Sequence, residues 1–170
     1  MATTIISPNI INSNREEEAV LECLTIDLLD ALLDANARDF TSQIIRHHLS
    51  HRVVNDFSDV LGDWRTTCSK AELLQGIDLH FRLQPNHFFR IQTEAVSADI
   101  NGAEGRTAIV FVPAAIRDAT EDGKMIREWM LITKWRRRDA NAVAGSVCNR
   151  WICERMTSFS AAGGFIGMHW

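Results

Sequence analysis

The stretch Gln84-Pro85-Asn86-His87-Phe88-Phe89-Arg90-Ile91-Gln92-Thr93 is where the chain changes its periodicity. Before it, Leu73, Leu74, Ile77 and Phe81 share one face of a predicted helix from Lys70 to Leu83, with Ser69 as N-cap. Pro85 stops that helix, because proline disfavours the helical conformation of the residue before it and cannot donate a backbone hydrogen bond. After it the period becomes two. In His87–Asp99, Phe89, Ile91, Thr93 and Ala95 face one side, and Arg90, Gln92 and Glu94 the other. Helices that give way at one proline to a run of strands imply an α+β fold, and His87 stands at the junction.

On the N-terminal side, Ser13-Asn14-Arg15-Glu16 reads as a capping box opening a helix to about Leu33, with Val20, Leu21, Leu24, Leu28, Ala31 and Leu32 on its apolar face. Residues 1–12 then form a flexible arm, and 13–160 a single domain. A shorter helix begins near Ala37 and turns Phe40, Ile44, Ile45 and His48 inward. His51–Phe57 reads as a short strand, and Gly62–Thr67 as a loop containing Trp64. On the C-terminal side, Asn101-Gly102 and Glu121-Asp122-Gly123 are turn signals between strands at Thr107–Ile116 and Met125–Trp135. Pro113 marks a bulge or an edge in the first of these. A last strand runs from Val147 to about Phe159, and residues 161–170 form an apolar tail, a possible lid. The expected architecture is a curved, mostly antiparallel sheet wrapped around three helices, enclosing a conical cavity suited to a ligand.

At 170 residues with 46% apolar and 24% charged side chains, one globular domain with its own core is expected. The net charge of −4 gives no electrostatic reason to expect nucleic acid or an anionic membrane. The basic run Lys134-Trp135-Arg136-Arg137-Arg138 reads as the solvated end of a hairpin in preference to a phosphate site. No run approaches the roughly 20 apolar residues that cross a bilayer, and there is no signal-peptide pattern. Cys23, Cys68, Cys148 and Cys153 show no C-x-x-C pair, which suits a reducing, cytoplasmic location. His47 and His51 could share a helical face, but without an H-E-x-x-H pattern no metal site is expected. Glycine-rich phosphate loops and nucleophile elbows are absent, so cofactor-free chemistry is expected. There is no tyrosine to act as acid.

The element order, with Ala37-Arg38-Asp39-Phe40, Val53-x-x-Asp56-Phe57 and Asn149-Arg150-Trp151-Ile152, resembles the nuclear transport factor 2-like superfamily. That group includes ketosteroid isomerase, SnoaL-like polyketide cyclases and scytalone dehydratase. His87-Phe88 is similar to the histidine-phenylalanine pair that opens the corresponding strand in scytalone dehydratase. Other parts of that active site are replaced: Val112-Pro113-Ala114 stands where the family has Val-Pro-His, Ala35-Asn36 where it has Tyr-Asp, and Asp56-Phe57 where it has Asp-Tyr. The resemblance therefore implies a shared fold and altered chemistry.

Matching Trp135 to the family's tryptophan places Glu128, Met130, Ile132 and Lys134 inside the cavity, and Arg127, Trp129, Leu131 and Thr133 outside. A Trp135–Trp151 pair would add Ile152, Glu154 and Met156 to the inner face. A buried Glu128 would have a raised pKa and pair with His87 as acid and base. A surface Glu128 with the faces exchanged is the alternative, since a one-residue slip reverses each assignment. The match turns Asn55 and Phe57 inward, with Asp56 as alternative base by analogy to ketosteroid isomerase. Arg38 could polarise a carbonyl or pair with Asp34 or Asp39.

The resemblance implies an isomerase, cyclase or dehydratase of specialised metabolism acting on an apolar polycyclic substrate. His87, Glu128, Asp56 and Arg38 are the candidate catalytic residues, and Asn55, Phe57, Phe89, Ile91, Met130, Ile132, Glu154 and Met156 the pocket. The alternative is a non-catalytic binding or docking module of the same fold. The resemblance also implies a homodimer through the outer sheet face, which an outward Trp129, Leu131 and Trp135 would suit.

Overall fold

A computed structural model describes residues 8–34, 38–57, 66–101, 106–120, 122–138 and 150–160, with side chains from Arg15 onward. The expected Trp64 loop, the Ala35-Asn36 and Asn101-Gly102 turns apart from Asn101 itself, Cys148, Asn149 and the C-terminal tail lie at least partly outside these residues. Helix α1 spans Pro8–Leu33. It buries Leu21, Leu24, Leu28, Leu29, Ala31, Leu32 and Leu33, the apolar stripe that its 3.6-residue spacing predicts. Its start corrects the reading of residues 8–12 as part of the arm and of Ser13–Glu16 as the cap. The helix begins five residues earlier, at a proline, whose fixed φ and missing N–H suit the first helical turn.

Helix α2 (Gln43–His48) runs directly into strand β1 (Leu49–Asp56). Helix α3 (Lys70–Leu83) is capped by Ser69, whose hydroxyl accepts from the Glu72 N–H at 3.2 Å, and buries Leu73, Ile77 and Phe81. Strand β2 (His87–Ile91) follows the Pro85 turn. The chain does not then continue as one strand to Asp99. A 3-10 turn at Thr93–Ala95 separates β2 from β3 (Ser97–Asn101). Both lie along the same edge of β4 (Thr107–Asp118), β2 against Ala114–Asp118 and β3 against Thr107–Phe111. The break falls opposite Pro113, which has no N–H for the edge; its carbonyl accepts from Gln92 N instead, at 2.9 Å.

Strands β5 (Lys124–Arg137) and β6 (Trp151–Ser160) complete a curved, unclosed sheet of order β1-β6-β5-β4-β2 with β3 also on β4. Every pairing is antiparallel except β1 with β6. The turn into β5 takes Asp122 and Gly123 through positive φ (51° and 72°), a conformation glycine adopts without strain.

The helices cover one face of the sheet. That face carries Val110, Val112, Trp129, Leu131, Trp135, Trp151, Cys153 and Met156, packed with α1 and α3 into one core. Polar side chains tie the layers together. Glu22 of α1 accepts from the Ala98 N–H at 3.0 Å, and Glu17 accepts from Trp151 Nε1 at 3.2 Å while pairing with Arg137, whose guanidinium lies over the Trp151 ring. His48 is buried, and its Nδ1 donates to the Trp151 carbonyl at 3.0 Å.

Candidate functional site

On β5 the two rows are opposite to the expectation. Trp129, Leu131, Thr133 and Trp135 are at most 2% exposed and face the helices. Glu128, Met130, Ile132 and Lys134 therefore alternate onto the outer face. The physical reason is that only one face can be dry. Burying two tryptophans and a leucine is favourable, whereas burying Glu128 and Lys134 would strand two charges. Thr133, the one polar member of the inner row, accepts from Trp135 Nε1 at 2.9 Å. Trp135 pairs with Cys153 and Arg137 with Trp151, and a bulge in β6 follows. Glu154 accordingly lies outside, where its carboxylate accepts from Arg136 Nε at 2.6 Å, and Met156 is fully buried on the inner face. Glu128, Met130, Ile132 and Glu154 thus leave the inner site, and the inner tryptophans cannot form an outer-face dimer contact.

Strand β1 places Asn55 and Phe57 toward the helices, at 0% and 1% exposure, and Asp56 on the other side, beside Thr157. On β2, His87, Phe89 and Ile91 face inward, because Phe89 pairs with Ile116 and Ile91 with Ala114, both core residues.

These inner residues form a continuous ring ladder. Phe57 meets Trp129 edge-on at 5.6 Å, Trp129 meets Phe89 at 5.8 Å, Phe89 meets His80 at 5.8 Å, and His80 meets His87 at 5.6 Å. Phe81 joins beside Phe89 at 5.7 Å, and the Arg38 guanidinium lies over the Phe81 ring at 4.1 Å. Arg38 is therefore held at the helix junction by an aromatic face, while Thr41 occupies the Asp39 carboxylate.

His80, which no sequence motif singles out, stands in this site as well. It sits at i+7 from Leu73 and i+3 from Ile77, on the apolar stripe of α3, and that spacing is the signal that could have found it. Burial, with His87 beside it adding to the effect, pushes its imidazole down to about 4, so it is neutral at ordinary pH. Across the ladder, several buried polar atoms find no hydrogen-bond partner among the described residues: His87 Nδ1, Asn55 Nδ2 and Oδ1, Trp129 Nε1 and Arg38 Nη1. Buried polar atoms are normally satisfied.

Glu128 and His87 are on opposite faces, so they cannot share a substrate. Among the described residues, no group of three or more His, Cys, Asp or Glu side chains could hold a metal ion, and His47 and His51 are exposed. No helix among them is long and apolar enough to cross a membrane.

No protein-family model and no curated protein sequence matches the chain. Solved structures do match its shape. An NTF2-like protein with a cystatin-like fold from Novosphingobium aromaticivorans gives a TM-score of 0.62 at 13% identity, covering 96% of this chain and 95% of the other. A proposed dehydratase of the NTF2-like family from Streptomyces avermitilis gives 0.58 at 12% identity, covering 86% and 97%. The CaMKII hub of S. rosetta gives 0.59 at 15% identity, covering 93% and 100%. The chain has the NTF2-like fold, which it shares with a protein described as a dehydratase and with one described as a hub.

Proposed function

We propose that the chain binds a mostly apolar small molecule against the inner ring ladder and carries out cofactor-free acid–base chemistry on it. Isomerisation, cyclisation or dehydration of a polycyclic intermediate in specialised metabolism, in a reducing cytoplasm, is the class of reaction. His87 transfers the proton. His80, kept neutral, is the partner acceptor in the role first expected of Glu128, and Arg38 steadies developing negative charge on a substrate oxygen. Asn55, Phe57, Phe89 and Trp129 shape the pocket. The observation that carries this reading is the contact of two imidazoles at 5.6 Å on a wall where His87 Nδ1, both side-chain polar atoms of Asn55 and Trp129 Nε1 are buried with no hydrogen-bond partner among the described residues. The free thiols of Cys23, Cys68 and Cys153 suit the compartment.

The test is exchange of α-protons of enolisable polycyclic ketones in deuterated water, followed by proton NMR with wild type, His87→Ala and His80→Asn. Loss of about 100-fold in exchange rate in His87→Ala, with ligand binding by tryptophan fluorescence retained, is expected. Equal exchange in all three proteins would overturn the assignment.

A docking module is the second reading. What favours it is how much of the inner face Trp129, Trp135, Trp151 and Phe57 already fill, together with the similarity to hub domains. If no apolar ligand changes the tryptophan fluorescence, this reading takes precedence.

A further inference from the structure

The face of the sheet away from the helices carries a polar groove of about 340 Å³, lined by Arg90, Gln92, Glu94, Ala115, Arg117 and Glu128, among others. Its shape follows from the register. Ala115 pairs with Arg90 on one side and with Glu128 on the other. The small alanine is the floor, and the long charged side chains rise as walls from β2 and β5. Two strand spacings put the Arg90 and Glu128 backbones about 10 Å apart. Neither side chain has a hydrogen bond or ion pair among the described residues, although they carry opposite charges and line one groove. Arg117 is fixed beside them: its Nη1 donates to the Gly123 carbonyl at 3.0 Å, and its buried Nε has no partner among the described residues. The 3-10 turn at Thr93–Ala95 brings Glu94 to the same rim.

We propose that this groove binds a small zwitterion of amino-acid size. Its carboxylate sits on Arg90 and Arg117, and its ammonium on Glu128 with Glu94 at the rim. The separation of unlike charges across an alanine floor carries the assignment. A simple anion would leave Glu128 opposed to it, and a simple cation would leave the two guanidiniums opposed. The volume, at the low end for ligand pockets, suits a molecule of this size with a few waters. This site is on the other side of the sheet from His80 and His87, and its occupancy does not depend on the chemistry proposed there.

The experiment is a nitrogen–proton NMR titration of the full chain with β-alanine, with propionate and ethylamine as arms that each lack one charge. Saturable shifts at the amides of Gln92–Glu94 and Ala115 are expected with β-alanine. Binding at least about ten-fold weaker is expected for propionate, for ethylamine, and for β-alanine with Arg90→Gln or Glu128→Gln. His87→Ala is expected to bind β-alanine like wild type. Absence of saturable shifts, propionate binding as well as β-alanine, or unchanged affinity in Glu128→Gln would each overturn the proposal. So would a groove covered by a second copy, read as shifts that appear only when light scattering reports dissociation to monomer.

Discussion

His80 spends its neutrality on the fold as well as on the site. Its imidazole is held near 4 in the folded chain and titrates near 6.5 when unfolded. The unfolded state therefore binds more protons between these values. The contribution is complete above about pH 6.5 and is lost as pH falls toward 4. His48 is lowered too, chiefly by burial, and acts in the same direction below its unfolded value. Asp30 works the other way at the acid end, because burial and then Asp34 and Asp27 raise its carboxyl. The discriminating quantity is thus the difference between wild type and His80→Asn in urea unfolding from pH 7 to pH 4. Wild type is expected to lose on the order of 1 kcal/mol more than the variant, a figure reduced for partial exposure. Parallel curves would show that His80 does not titrate in the fold as described.

Strand β5 concentrates what one element can get right or wrong. Its two rows, Glu128-Met130-Ile132-Lys134 and Trp129-Leu131-Thr133-Trp135, both hold apolar residues, so period two alone leaves the face open. Packing against α1 and α3 decides it. Trp129→Ala should cost roughly 3–5 kcal/mol, whereas Met130→Ala on the outer face should cost under about 1 kcal/mol. Equal losses in denaturant unfolding would return the strand to the opposite face. Helix α3 offers a cleaner case, since Ser69 and the apolar stripe from Leu73 to Phe81 agree with each other. Ser69→Ala should lower stability by about 1 kcal/mol, measured the same way, because the Glu72 N–H loses its acceptor.

Across the whole molecule, the outer sheet face combines the charged groove with apolar side chains. Phe111 pairs with Ile132 and Met130 with Phe159, and the two phenylalanines are 37% and 47% exposed. Homo-oligomerisation through this apolar row alone, which replaces Trp129, Leu131 and Trp135 and leaves the groove at Arg90 and Glu128 open, is the expectation. Light scattering should report a dimer that Phe159→Lys shifts to monomer. A monomer at every concentration of wild type would end that expectation.

The sequence by itself determined the succession of helices and strands, the break at Pro85, the apolar stripe of α3 behind Ser69, and His87 at the head of a strand. Each is written in local chemistry: a proline, a cap, an apolar spacing. Only the tertiary structure decided which face of β5 is dry, that β2 and β3 part opposite Pro113, and that His80 rather than Glu128 stands beside His87. Those depend on pairing between residues far apart in the chain, and an alternation that is apolar on both sides carries no record of which neighbour it will meet.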